Sequence, residues 1–189
     1  MIVLATRNAH KLAELRQMAP GFEWAGLPEA LGDPPETGDT FVANALQKAR
    51  YAFEQTGALA VADDSGLEVD ALNGRPGVWS KRHSPEATDA ANNRLLLTEL
   101  ALQLNRRARY RCVLAVGGEG VEQVVHGTCE GVIGTEPRGV GGFGYDPLFH
   151  PDAAPGRTMA ELTRDEKAAI SHRGAAMRAL VPILARLPR

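Results

Sequence analysis

Residues 61–66 read Val-Ala-Asp-Asp-Ser-Gly, an apolar run ending in two adjacent carboxylates. Successive side chains of an extended strand point to opposite faces. If the strand continues to Asp64, Asp63 and Asp64 point to opposite faces and cannot both line one site through their side chains. One faces a cleft at the strand end, and the other caps the following turn or accepts backbone N–H groups. A cleft carboxylate beside lysines suits Mg²⁺, which takes one or two carboxylates plus substrate phosphates. Glu36, in the acidic loop of residues 28–39, is a second carboxylate for such an ion. The pair equally suits a plain turn-capping motif. Ser65 lacks the G-x-S-x-G setting of a hydrolase nucleophile.

Three further stretches carry candidate chemistry. In Thr6-Arg7-Asn8-Ala9-His10-Lys11 a strand ends and a helix begins. Helix-start N–H groups attract anions, worth about 0.3–1 kcal/mol per charge, and Lys11 adds a point charge. An Asn cap with a solvated lysine fits the same residues. Residues 139–144, Gly-Val-Gly-Gly-Phe-Gly, match G-x-G-x-x-G formally. Tyr145-Asp146-Pro147 follows instead of a helix, so this is no dinucleotide site. No P-loop occurs either. What remains is a loop presenting Phe143, Tyr145 and Asp146, with an aromatic suited to stack on a base or to pack inward. Finally, Ser171-His172-Arg173 places two donors at a helix start, where cations are disfavoured. A locally broken rule points mildly to function. No zinc spacing is present.

The elements that must hold these residues alternate. Residues 1–6 are a buried strand, and 8–19 a helix with Leu12, Leu15 and Met18 on one face. Residues 22–27 form a second strand. Thr40 opens a helix to Thr56, stopped by Gly57, with Phe41, Ala45, Ala49 and Phe53 in one stripe. Asn44 and Lys48 project together from another face. Residues 58–63 are a strand ending at the acids; 64–80 read as loop with a short extended piece. A leucine-rich helix spans 86–104. Residues 109–118 and 120–134 are two long β runs, an antiparallel pair. Residues 137–151 are a glycine- and proline-dense loop entering an extended segment. Thr163 and Glu166 form a capping box, Ser171 can cap a last helix, and Pro182 should kink or locally loosen that helix. The sum is an α/β fold around a mixed sheet.

A chain of 189 residues favours one domain. A hydrophobic content of 44% and a net charge of −2 suit a soluble protein with no global basic field. Any polyanion is therefore met locally, and nucleic acid polymers are not expected as partners. No apolar run reaches membrane length, and the N-terminus lacks a signal-peptide pattern. A cytoplasmic location is expected, with Cys112 and Cys129 as reduced core residues.

The order of these motifs is similar to that of the inosine/xanthosine triphosphate pyrophosphatase family. The stretches that carry the resemblance are LATRNAHKLAEL, ETGDTFVANALQKA, ADDSGLEVDAL, GRPGVWSKRHS, GGFGYDP and LTRDEKAAISHRGAA, spanning residues 2–176. The resemblance implies Mg²⁺-dependent hydrolysis of ITP, dITP or XTP to the monophosphate and pyrophosphate. It also implies an elongated two-lobed fold with the substrate cleft between the lobes, in a single domain over 1–189, and a homodimer. By matching position, Thr6, Asn8, Lys11, Lys48, Ser65, Phe143, Gly144, Tyr145, Asp146, Lys167, His172 and Arg173 meet the substrate, and Arg7 either adds positive charge near the phosphates or points to solvent. Lys11 and Lys48 meet phosphates, and Phe143 stacks on the base. Glu36 and Asp64 are the metal-site acids, and Asp64 is also the proton acceptor. Arg7 and His10 stand where glycine is frequent in the family, and Trp79 where tyrosine is common.

This assignment has a physical basis for selectivity. Hypoxanthine and xanthine offer a 6-keto acceptor, whereas adenine offers a 6-amino donor. Donors such as His172 and Arg173 would leave that amino group unpaired, at about 1–3 kcal/mol per buried polar group. A pyrophosphatase for other modified nucleotides, or a non-catalytic nucleotide sensor, would use similar residues.

Overall fold

The computed structural model describes residues 1–187. Six strands, β1 (Ile2–Leu4), β2 (Trp24–Gly26), β3 (Ala60–Val69), β4 (Arg107–Gly118), β5 (Val121–Ile133) and β6 (Phe149–Pro151), form one sheet in the order β2-β1-β3-β4-β5-β6. Strand β1 is parallel to β2 and β3, while β5 is antiparallel to β6. Strands β4 and β5 are neighbours joined by Glu119 and Gly120, with Gly120 at φ 64°. A two-residue connection between adjacent strands permits only an antiparallel hairpin. The sheet is therefore mixed, as the alternation of elements implies.

Five helices accompany it among the described residues: α1 (Ala9–Met18), α2 (Phe41–Thr56), α3 (Asp89–Glu99), α4 (Arg164–Ile170) and α5 (His172–Leu184). Their starts follow from local chemistry. Asn8 caps α1, Thr40 caps α2 and Thr88 caps α3, each accepting backbone N–H groups of the first turn. Gly57 closes α2 in the left-handed conformation that glycine adopts without steric cost. The expected capping box of Thr163 and Glu166 opens α4, and a second one joins Thr158 to Glu161. Pro182 lies inside α5, where it removes the N–H that would bond the Arg178 carbonyl. No helix among the described residues is long and apolar enough to cross a membrane.

Two sequence expectations need correction. The helix expected over 86–104 is shorter, because the Thr88 cap starts it at Asp89; Leu102 and Leu104 beyond its end are fully exposed. Strand β3 does not end at the acids either. It continues through Asp64, Ser65 and Gly66 to Val69. Asp63 and Asp64 are thus mid-strand residues, and neither caps a turn there.

The chain divides into two compact units. The first comprises residues 1–64, 112–127 and 173–189. Its core joins Leu4, Leu15, Val61, Leu114, Val116, Met177 and Leu180, all essentially solvent-free. Helix α2 lies close on β4 in this unit, since a Cβ on Gly117 would sit 2.9 Å from the Ala49 carbonyl oxygen. The second unit comprises 65–111 and 128–172. Leu67, Leu96, Leu100, Tyr110, Leu148 and Phe149 form its core. Arg106 fastens this unit by donating to the carbonyls of Ile133, Leu100 and Gly134 at 2.6–2.8 Å. Cys112 and Cys129 are buried free thiols, one in each core, as expected.

Candidate active site

The acidic cluster of the first unit is built from β3, α1, α2 and α5. Alternation along β3 sends Asp63 and Asp64 to different partners. Asp63 is 1% exposed and is paired with Lys11 and with Arg173, whose Nε donates to Oδ2 at 2.8 Å. Arg173 is equally buried and also donates to Glu14 at 2.5 Å. The Cys112 thiol lies 3.3 Å from Asp63 Oδ2. Burial opposes the charge of Asp63, but Arg173 and Lys11 more than offset it and hold the carboxyl well below its ordinary range. Arg173 is stabilised as a cation in return: burial alone would lower it, while Asp63 and Glu14 push it up.

Asp64 has a different environment. Lys48 donates to Asp64 Oδ1 at 2.9 Å and to Glu36 Oε1 at 2.6 Å, bringing together two acids 28 positions apart. Burial raises the Asp64 carboxyl above its usual value, and Lys48 offsets this only in part. The lysine is itself raised, because Asp64 and Glu36 outweigh its burial. The second carboxylate oxygen, Asp64 Oδ2, is buried and has no hydrogen-bond partner among the described residues. A buried, unsatisfied carboxylate oxygen is costly unless something else binds it. No cluster of three or more His, Cys, Asp or Glu side chains suited to a metal occurs among the described residues. The donor set of Glu36 and Asp64 still fits a hard cation that completes its shell with phosphate oxygens and water, as Mg²⁺ does.

Helix α2 also positions the loop that carries Glu36. Asn44 Oδ1 accepts the Gly38 N–H at 2.8 Å, and Gln47 Oε1 accepts the Thr37 N–H at 3.0 Å. The i, i+4 spacing of Asn44 and Lys48 marks their shared helix face; nothing in the sequence signals the contacts of Asn44 and Gln47 with the loop.

At the start of α1, Asn8 Oδ1 accepts from the His10 and Lys11 N–H groups, and Thr6 Oγ1 accepts from Asn8. The Asn cap is therefore present, but Lys11 is held by Asp63 rather than solvated. Arg7 turns to the loop before the acids. Its Nε lies 2.9 Å from Asp33, and it donates to the Leu31 carbonyl.

The second unit holds the remaining candidates, half-buried Ser65 among them. Asp146 is 3% exposed; its Oδ2 accepts from Lys167 Nζ at 2.7 Å and from the Phe143 N–H at 2.9 Å. Tyr110 donates to its other oxygen at 3.3 Å. Tyr145 is buried, donating its hydroxyl to the Ser80 carbonyl at 2.9 Å, and burial pushes that hydroxyl's pKa up. Phe143 is only half-buried, with the Lys167 ammonium 4.7 Å from its ring centre. His172 stacks on Tyr110, ring centres 4.6 Å apart and planes within 10°. Tyr110 was not foreseen from the sequence. Neighbours in sequence, His172 and Arg173 belong to different clusters.

The first cluster thus offers two lysines, two juxtaposed carboxylates and an unsatisfied acid oxygen, a set suited to phosphate and a divalent cation. The second offers a partly open aromatic ring, a histidine and a lysine, a set suited to a heteroaromatic base. Similar proteins are known. The dITP/XTP pyrophosphatase of Mycolicibacterium paratuberculosis is 49% identical over 201 residues, covering 100% of this chain and 97% of that protein. The dITP/XTP pyrophosphatase of Cutibacterium acnes is 52% identical over 192 residues, covering 96% of this chain and 94% of that protein. Among solved structures, a HAM1 protein from Coxiella burnetii matches with a TM-score of 0.87 at 44% identity, covering 98% of each chain. The Staphylococcus aureus Ham1 protein matches with a TM-score of 0.87 at 38% identity, covering 97% of each. The Ham1 family model matches residues 2–183, and the chain belongs to that family.

Proposed function

We propose that this protein hydrolyses non-standard purine nucleoside triphosphates, such as dITP, XTP and ITP, to the monophosphate and pyrophosphate. The observation that carries the reading is the Glu36–Lys48–Asp64 arrangement, with Asp64 Oδ2 buried and unbonded. It is supported by relatives named dITP/XTP pyrophosphatase at about half identity over nearly the full chain.

In this reading Glu36 and Asp64 hold Mg²⁺. When bound, that ion supplies charge neutralisation at phosphate oxygens. Lys11 and Lys48 stabilise charge developing on the pyrophosphate leaving group. Asp64, raised by burial, orients the attacking water and takes its proton. Thr6, Arg7, Asn8 and Ser65 contact the substrate near its phosphates. Phe143 stacks on the base within the stretch Phe143–Asp146, while Lys167 and His172 read its polar edge and Arg173 fixes Asp63 beside Lys11. Residues 1–189 act as one domain. The enzyme is a homodimer acting in the cytoplasm.

The test is a panel of ITP, dITP, XTP, GTP, ATP and dUTP with Mg²⁺, reading pyrophosphate against phosphate. ITP, dITP or XTP should be preferred, with pyrophosphate as the product. Faster turnover of ATP or dUTP would overturn the substrate class, and binding without turnover would overturn the activity. Light scattering reads the dimer.

A further inference from the structure

Helix α3 carries no residue of the site described above, yet its first turns reach the loop that presents Phe143. Asp89 and Asn93 are spaced i, i+4 and so share one face of the helix. Asp89 Oδ2 accepts the Gly144 N–H at 2.6 Å, and Asn93 Nδ2 donates to the Gly144 carbonyl at 2.9 Å. Both backbone polar groups of one residue are thus held by one helix face. Gly144 has φ 63°, a conformation that most side chains disfavour and an external grip can maintain. Its neighbour Phe143 is held in the same manner from the other side, its N–H by Asp146 Oδ2 and its carbonyl by the Asp146 N–H at 3.2 Å.

The helix doing the gripping is itself fixed. The Asn92 side chain bonds the Ser84 N–H and hydroxyl at 2.8 Å and the Lys81 carbonyl at 3.1 Å, and Leu96 is fully buried. The Asn93 amide has one committed half only: its Oδ1 is buried with no hydrogen-bond partner among the described residues. Turning the amide over would set that oxygen against the Gly144 carbonyl, so the bond to Gly144 fixes its orientation.

We propose that Asp89 and Asn93 are positioning residues for base recognition, clamping the Gly144 peptide so that the Phe143 ring is preset to stack on the purine. The proposal rests on the reading that Phe143 stacks on the base. A preset ring loses less freedom on binding than a mobile one, so the clamp acts on affinity for the base and not on phosphate chemistry.

The experiment measures kcat and KM for ITP, and inhibition by inorganic tripolyphosphate, which has no base. The variants are Phe143→Ala, Asp89→Ala/Asn93→Ala, the triple variant, and Asp89→Asn as the conservative change that keeps an acceptor oxygen. Phe143→Ala should raise KM roughly tenfold to a hundredfold, the range of one base–aromatic stack. The clamp double variant should raise KM by about fivefold to tenfold, part of that same interaction, with kcat and tripolyphosphate inhibition within about twofold. The triple variant should match Phe143→Ala, and Asp89→Asn should retain most of the affinity. A clamp variant with unchanged KM beside a strong Phe143→Ala effect would overturn the clamp. So would equal losses for ITP and tripolyphosphate, which mark a merely structural role, or full additivity in the triple variant. If Phe143→Ala itself leaves KM unchanged, the stacking reading fails and the clamp with it.

Discussion

Asp63 and Arg173 are 110 positions apart in the chain and meet at 2.8 Å in a buried ion pair. The pair sits beside Lys11 and Glu14, so one carboxylate, Asp63, answers two cations. Replacing Asp63 by Asn keeps the volume and removes the charge both cations face. Breaking a buried pair from one side costs about 3 kcal/mol or more. Asp63→Asn should therefore lower Tm by roughly 6–12 °C, read by calorimetry, with Asp63→Glu restoring part of it.

Asp64→Asn should behave in the opposite way. Lys48 keeps its bond to Glu36, and a carboxyl raised by burial loses little when neutralised. Tm should stay within about 2 °C, the shift expected for well under 1 kcal/mol. Turnover of ITP should fall at least roughly a hundredfold, as for loss of a proton acceptor. Pyrophosphate release by the purified variant, compared with its melting curve, separates the two acids.

The acidic loop depends on α2. Asn44→Ala strands the Gly38 N–H and frees the chain two residues from Glu36. A lost bond to a buried side chain costs about 1–3 kcal/mol. The Mg²⁺ concentration giving half-maximal turnover should rise several-fold, on the order of the affinity that about 1 kcal/mol represents. Direct Mn²⁺ titration by electron paramagnetic resonance should show the same weakening without substrate.

Gly117→Ala tests the approach of α2 to β4. The added methyl would meet the Ala49 carbonyl at 2.9 Å, and backbone on both sides leaves it no room. Overpacking of this kind costs about 1–3 kcal/mol. A denaturant midpoint lowered with an unchanged slope is the expected result.

Both thiols should be inert in the folded protein. Burial pushes Cys129 up to about 12 and raises Cys112 well above its ordinary value, with Asp63 adding to the effect. Reaction follows the thiolate. At pH 8 a chromogenic disulfide reagent should find no reactive thiol in the native protein and two after denaturation.

Local rules carried much of the architecture into the sequence. The caps at Asn8, Thr40 and Thr163, the glycine stop at Gly57 and the stripe of Phe41, Ala45 and Ala49 are short-range features, and each appears where its residues call for it. The period of 2 along β3 already separated Asp63 from Asp64. The strand's continuation to Val69 was hidden, because Asp-Asp-Ser-Gly has turn-forming composition and only sheet pairing overrides it. Which cation each acid meets depends on contacts over 16 to 110 positions, between Asp64 and Lys48 and between Asp63 and Arg173, and no local pattern encodes those. The grip of Asp89 and Asn93 on Gly144 is of the same kind: an i, i+4 pair marks a helix face, but only folding decides what that face touches.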